Sequence, residues 1–105
     1  MELVRAVIRP NFTEKVVSAL EEAGFISMTK MNVYGRGKQQ GIKVGEVHYD
    51  ELAKTMLMLV VNNRDTQRLI DTIMEVAKTG SFGDGKIFIS PVDAVYTIRT
   101  GESGL

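Results

Sequence analysis

Cysteine is absent from the chain, and histidine occurs once, as His48. Without cysteine there is neither a disulfide frame nor a thiolate metal site. One histidine cannot by itself build a zinc site or a Ser-His-Asp triad. An excess of one charge is lacking too: 13 Lys and Arg balance 13 Asp and Glu. Bulk electrostatic capture of nucleic acid or of an anionic membrane is therefore not expected. No apolar run approaches the roughly 20 residues that span a bilayer. The opening Met1-Glu2-Leu3-Val4-Arg5 carries charges where a signal peptide needs its apolar stretch, so a cytoplasmic location is expected.

What remains is ordinary globular material. With 105 residues, 44% of them hydrophobic, the chain suits one domain, 1–105, around a single core. Two halves of it follow the same plan. Leu3 to Ile8 is an apolar, β-branched run that predicts a strand, and Pro10-Asn11 breaks it. Val16, Ala19, Leu20 and Ala23 then recur at the spacing of one buried helix face. Asn11 or Thr13 can cap that helix and Gly24 can end it. A second strand is expected at about 27–34. The plan repeats with an apolar strand Met56 to Val61, a break at Asn62-Asn63, and a helical stripe of Leu69, Ile73, Val76 and Ala77. Lys78-Thr79-Gly80 closes this helix, Lys86 to Ser90 forms the next strand, and Pro91 leads into a last one at about Ala94 to Arg99.

Strand-helix-strand twice over predicts an α+β, ferredoxin-like βαββαβ sandwich, with an antiparallel sheet and both helices on one face. Met56-Leu57-Met58-Leu59-Val60-Val61 does not alternate apolar with polar, as a strand with one wet face should. The sheet face away from the helices is therefore expected to be covered, most simply by another copy of the chain.

Between the halves, Gly35 to Lys54 is long, polar and broken by Gly35, Gly37, Gly41 and Gly45. Long loops without structure of their own are uncommon in compact domains and are often functional. Gly35-Arg36-Gly37-Lys38 combines permissive glycines with cationic side chains, the ingredients of an anion site. It is neither a dinucleotide fingerprint nor a Walker A loop, because the spacing and the Gly-Lys-Ser/Thr element are missing. Gly83-Asp84-Gly85-Lys86 offers the same ingredients a second time, between a helix end and a strand. Arg99-Thr100-Gly101-Glu102 is a third candidate. No nucleophile–base pair is evident and no catalytic activity is expected. The expected central strands carry too few aromatics for base stacking, against an RNA-binding role.

The run from Thr79 through Gly83-Asp84-Gly85-Lys86 to Asp93, followed by Ile98-Arg99-Thr100-Gly101-Glu102, resembles the C-terminal signature of the PII nitrogen-signalling proteins. Gly35, Gly37, Lys38, Gln39 and Gly41 stand where that family enters its T-loop. Arg9-Pro10, the Gly24-Phe25 turn and Met28-Thr29 also match by position, so the likeness spans the chain. The resemblance implies a trimer whose nucleotide sites lie between neighbouring subunits. It implies a T-loop at about 37–54, a phosphate loop at about 79–86, and a C-terminal strand and tail at 94–105. Gly83, Asp84, Gly85, Lys86 and Arg99 would meet the phosphates of ATP or ADP, with Lys38 in place of the family's usual Arg. Thr29, Gly35, Gly37 and Val60 would line the base and sugar. In the family, 2-oxoglutarate binds a Mg2+ ion carried by ATP. Gln39 would ligate that metal, Gln40 and Gly41 would border the 2-oxoglutarate, and Lys54 would pair with its distal carboxylate. The family's two arginines near the C-terminus appear here as Thr97 and Arg99. Tyr49 is not set in the surroundings of the tyrosine that is uridylylated in bacterial PII proteins.

The stretch 35–45 and Tyr49-Asp50-Glu51 are most similar to a narrower branch, the first-subtype PII-like proteins encoded in nitrogen-fixation operons of archaea. That branch implies a hetero-oligomer with a second-subtype paralogue and direct control of nitrogenase at its molybdenum-iron component. The alternative is a general PII protein acting on an ammonium transporter or on glutamine synthetase.

Overall fold

The computed structural model describes residues 1–37, 42–45, 47–49 and 51–105. The elements run β1 Glu2–Ile8, α1 Thr13–Glu22, β2 Thr29–Gly35, β3 Ile42–Val44, β4 Val47–Tyr49, β5 Leu52–Val61, α2 Thr66–Ala77 and β6 Lys86–Pro91. The main sheet has the order β2-β5-β1-β6, and every neighbouring pair is antiparallel. β1 and β2 flank β5, and α1 joins them; β5 and β6 flank β1, and α2 joins them. This is the expected ferredoxin-like arrangement.

Its core follows from alternation along the two central strands. Val4, Ala6 and Ile8 of β1 and Leu57, Leu59 and Val61 of β5 point to one face and are buried. Val16 and Leu20 of α1 and Leu69, Ile73 and Ala77 of α2 pack against them in one cluster. Burying each of the larger side chains stabilises the fold by about 1.5–3 kcal/mol. The end of α1 is fixed by Gly24, at φ +94°, where few other residues could sit. Gly24 N–H donates to Glu21 O at 3.0 Å and Phe25 N–H to Leu20 O at 2.8 Å, which satisfies two terminal carbonyls. Phe25 thereby enters the core. Arg68 of α2 lies 4.3 Å from its ring centroid and also donates to Ala23 O, tying the helices together.

Three local expectations need correction. Neither Asn11 nor Thr13 caps α1: a 3-10 turn, Pro10–Phe12, leads directly into the helix, and the Thr13 N–H donates to Pro10 O. The Thr13 hydroxyl is buried with no hydrogen-bond partner. The loop expected from Gly35 to Lys54 is shorter and not without structure. β2 runs to Gly35, β5 begins at Leu52, and Lys54 faces Val33 within the sheet. β3 and β4 form a hairpin between them, turning at Gly45, φ +60°. Ala94 to Arg99 is not a strand. Gly101 and Gly104, both at positive φ, let the chain double back, and its backbone groups pair locally. Thr97 N–H reaches Glu102 O at 2.9 Å and Gly104 N–H reaches Val95 O at 2.8 Å, leaving a single Tyr96–Ser103 bridge.

The other sheet face carries Leu3 and Val7, Met31 and Val33, Leu52, Met56, Met58 and Val60, together with Phe88. Met31 and Phe88 are exposed and most of the others only half-buried. Within one chain this apolar face is open over most of its area.

The segment 79–86 arrives at one end of it under a tight steric constraint. A Cβ on Gly85, φ +105°, would lie 1.7 Å from the Val7 carbonyl oxygen, whereas one on Gly80, φ +87°, would meet nothing within 4 Å. Gly85→Ala is therefore expected to cost roughly 3 kcal/mol or to lift the segment from β1, and Gly80→Ala only about 1 kcal/mol. Urea unfolding of the two variants measures the difference.

Candidate functional site

The sheet register explains how the site is assembled. Thr55 of β5 faces Ile8 of β1, so the next rung sets Lys54 toward Arg9. By strand alternation both side chains rise on the open face. The segment 79–86 enters β6 at Lys86, which faces Val7, and lies over this rung. Lys54 is only 8% exposed as a result, and its ammonium donates to the Gly83 carbonyl. Arg9 donates through Nη2 to the Phe82 carbonyl at 2.8 Å and through Nε to Asp84 Oδ1 at 3.3 Å.

Asp84 closes the segment on itself. Its Oδ1 accepts the Thr79 hydroxyl at 2.5 Å, and its Oδ2 accepts the N–H groups of Thr79 and Gly80 at 2.8 and 2.9 Å. The Thr79 hydroxyl, then the Thr79 N–H, hold its carboxyl well below the usual carboxylate range, with Gly80 and Arg9 adding to the effect. The carboxylate is thus spent on bracing the loop. Burial pushes the Lys54 ammonium below its ordinary pKa; Arg9 pushes the same way, and Asp84 opposes both.

A cavity of about 700 Å³ opens beside this rung. Gly35 and Gly37 border it from the end of β2, Lys54 from β5, and Gly83, Asp84, Gly85 and Lys86 from the loop. Its floor is apolar, from Val7, Val33, Met56 and Phe88. These seven expected site residues are therefore brought together. Others are not. Thr29 faces Met58 at the far end of β2, and Val60 borders a separate cavity of about 400 Å³ with Phe25, Ile26 and Thr97. Arg99 is exposed in the C-terminal turn and borders neither cavity. Val60 stands six residues beyond Lys54 on one strand, about 20 Å away. Lys38, Gln39, Gln40 and Gly41 lie outside the described residues.

Sequence reasoning did not assign a role to Arg9 or Thr79 here, although both belong to the quoted motifs. Their signal was weak because each acts on backbone or on Asp84 rather than on a recognisable ligand pattern. Among the described residues no three His, Asp or Glu side chains converge as a metal site, and no helix is long and apolar enough to cross a membrane. His48, one weak metal candidate, lies in β4.

The Asp84 brace makes a pH prediction. Its folded-state pKa is depressed, so its stabilising contribution is complete above the ordinary value of 3.8 and fades as pH falls below it. Asp84→Asn should lower the melting temperature at pH 7, and the gap to the parent protein should shrink as pH falls below about 3.8. Thermal melts of both proteins across the acid range test this.

Comparison with known proteins places this arrangement in a family. The profile of "Nitrogen regulatory protein P-II" matches residues 1–102. The "Nitrogen fixation nifHD region glnB-like protein 1" of Methanococcus maripaludis is 57% identical, with all of both chains aligned. The "Nitrogen fixation nifHD1 region GlnB-like protein 1" of Methanosarcina barkeri is 55% identical, again over the full length of both. The "Nitrogen regulatory protein P-II 2" of Methanothermobacter thermautotrophicus is 48% identical, covering 99% of this chain and 94% of the relative. Matched over nearly all of its length, with the glycine loops and open sheet face in place, the chain belongs to the nitrogen regulatory protein P-II family.

Proposed function

We propose that this P-II protein senses ATP or ADP together with 2-oxoglutarate and regulates nitrogen fixation through the segment between β2 and β5, with nitrogenase as its target. The observation that carries the reading is the cavity that joins Gly35 and Gly37 to Gly83-Asp84-Gly85-Lys86 and Lys54. Its volume lies in the range of small-ligand sites. It combines an apolar floor for a base with glycine backbone and lysines for phosphates. The relatives named for a nifHD region support the link to nitrogen fixation.

The surroundings of the cavity favour a metal that arrives on the phosphates rather than one held by a protein cage. Lys54 and Lys86 are cationic, and the Asp84 carboxylate is already engaged by Thr79, Gly80 and Arg9. Gln39 is the side chain assigned to Mg2+, and Lys54 to the distal carboxylate of 2-oxoglutarate, with Gln40 and Gly41 beside it. A dianion next to a triphosphate needs such cations close by. Bound at Lys54, 2-oxoglutarate biases the segment between β2 and β5 only through its different affinity for that segment's two states. No covalent chemistry is required of the protein, which acts as a regulator rather than an enzyme.

Thr29, Val60 and Arg99 belong to the same nucleotide site in this reading, yet stand apart from its phosphate half within one chain. A second copy, set head to tail, brings the two halves together, and three such contacts close into the trimer that the family resemblance implies. The same contact covers the open apolar face. A second-subtype paralogue with the same face could replace one copy.

Calorimetric titration tests the reading: Mg-ATP should bind alone, and 2-oxoglutarate only once Mg-ATP is present. Gln39→Ala should abolish the 2-oxoglutarate heat and change Mg-ATP affinity by less than about threefold. Binding of 2-oxoglutarate without nucleotide, or unchanged binding by the variant, would contradict the assignment. Elution of nitrogenase from the immobilised protein by 2-oxoglutarate separates the proposed target from an ammonium transporter or glutamine synthetase.

A further inference from the structure

The loop 79–86 rests on two cations, each of which donates a hydrogen bond to its backbone. Arg9, just past the end of β1, holds the Phe82 carbonyl, and Lys54 holds the Gly83 carbonyl from β5. Each carbonyl is one half of a planar trans peptide; among the described residues there is no cis peptide bond. In a trans peptide the N–H points opposite to the C=O. Drawing the Phe82 and Gly83 carbonyls toward Arg9 and Lys54 therefore turns the N–H groups of Gly83 and Asp84 away from those cations. Two successive outward N–H groups form an anion-binding concavity. Gly83, at φ +95°, permits the turn, and the Arg9 guanidinium fills the space beneath it, 3.3 Å from where a Cβ would lie.

We propose that Lys54 and Arg9 are positioning residues of the phosphate loop, aiming the Gly83 and Asp84 amides, so that Lys54 joins the nucleotide site to the 2-oxoglutarate site. This rests on the nucleotide reading above and adds a second task to a residue assigned there only to a carboxylate. An ammonium has three donors. One serves Gly83, and two remain for the incoming carboxylate. The same side chain that receives the second ligand thus already sets the loop that receives the first. The low exposure of Lys54 agrees with this, since a lysine kept only for a mobile ligand has no need to be covered by backbone.

The discriminating variants are Lys54→Met, which keeps the stem and loses every donor, and Lys54→Gln, whose amide can still reach toward the Gly83 carbonyl. Two readouts are taken without any 2-oxoglutarate. The first is Mg-ATP affinity by calorimetry. The second is hydrogen exchange, in the nucleotide-free protein, at the Thr79 and Gly80 amides, which donate to Asp84 and report the order of the loop. Lys54→Met should weaken Mg-ATP binding about tenfold and speed both amides about tenfold, the effect of one charge-assisted hydrogen bond. Lys54→Gln should recover more than half of each effect, although neither variant responds to 2-oxoglutarate. Unchanged affinity and unchanged exchange in Lys54→Met would overturn the proposal and leave Lys54 as a carboxylate ligand only. If the parent protein itself fails to bind Mg-ATP, the nucleotide reading falls, while the amide exchange still decides the positioning role. Should Lys54→Met not fold, Arg9→Gln gives the same two readouts from the β1 side, with the same outcomes deciding.

Discussion

The contact between Gly85 and the Val7 carbonyl sets the geometry on which the rest of the site depends. No side chain fits there, so the backbone of the 79–86 segment lies directly on β1 and runs into β6 without a gap. Once it is seated, Lys54 and Arg9, each one residue beyond the Ile8–Thr55 pair, find hydrogen-bond partners in its carbonyls. Asp84 then gathers Thr79 and Gly80 from the other side. A segment with five charged or glycine residues in eight, which in isolation is an ordinary turn, becomes a fixed element because a sheet rung and a forbidden Cβ leave it one place to go.

The open sheet face is the second constraint, and it argues for partners. Folding buries one side of β1 and β5 completely under the helices, yet leaves methionines and Phe88 on the other side half-covered or exposed. The cavity of about 700 Å³ is an indentation at one end of that same face. In the proposed reading, assembly and ligand binding therefore draw on one surface. The family resemblance assigns Lys54 to the 2-oxoglutarate site and Val60 to the adjoining nucleotide site, yet the two stand toward opposite ends of β5. A sheet strand is too straight to bring Lys54 and Val60 together, and a second copy supplies the missing neighbour in the proposed account.

Much of this architecture was legible in the sequence because it is written as periodicity. Val16 to Ala23 and Leu69 to Ala77 announce helices, the β-branched runs announce strands, and their order dictates the ferredoxin-like topology. The glycine clusters correctly marked both loops that border the cavity. What was not legible depends on pairing across the chain. Leu52 and Lys54 look like loop because Glu51 and the polar run precede them, and only their pairing with Val33 and Gly35 makes them strand. Ala94 to Arg99 has strand composition, but Gly101 and Gly104 return the chain on itself before it reaches an edge. The role of Arg9 is invisible locally, since its partners Phe82 and Asp84 are more than seventy residues away.

In the proposed reading, one nucleotide site is built from two copies of the chain. Subunit mixing tests it most directly, using Lys86→Ala for one half of the site and Arg99→Ala for the other, both exposed side chains. Each variant alone should fail to bind Mg-ATP. After unfolding and refolding together in equal amounts, random trimers should regain about one site in four, because an interface between the two intact halves then forms at that frequency. A mixture as inert as its parents, or full binding by a monomeric form of the parent protein, would contradict the account.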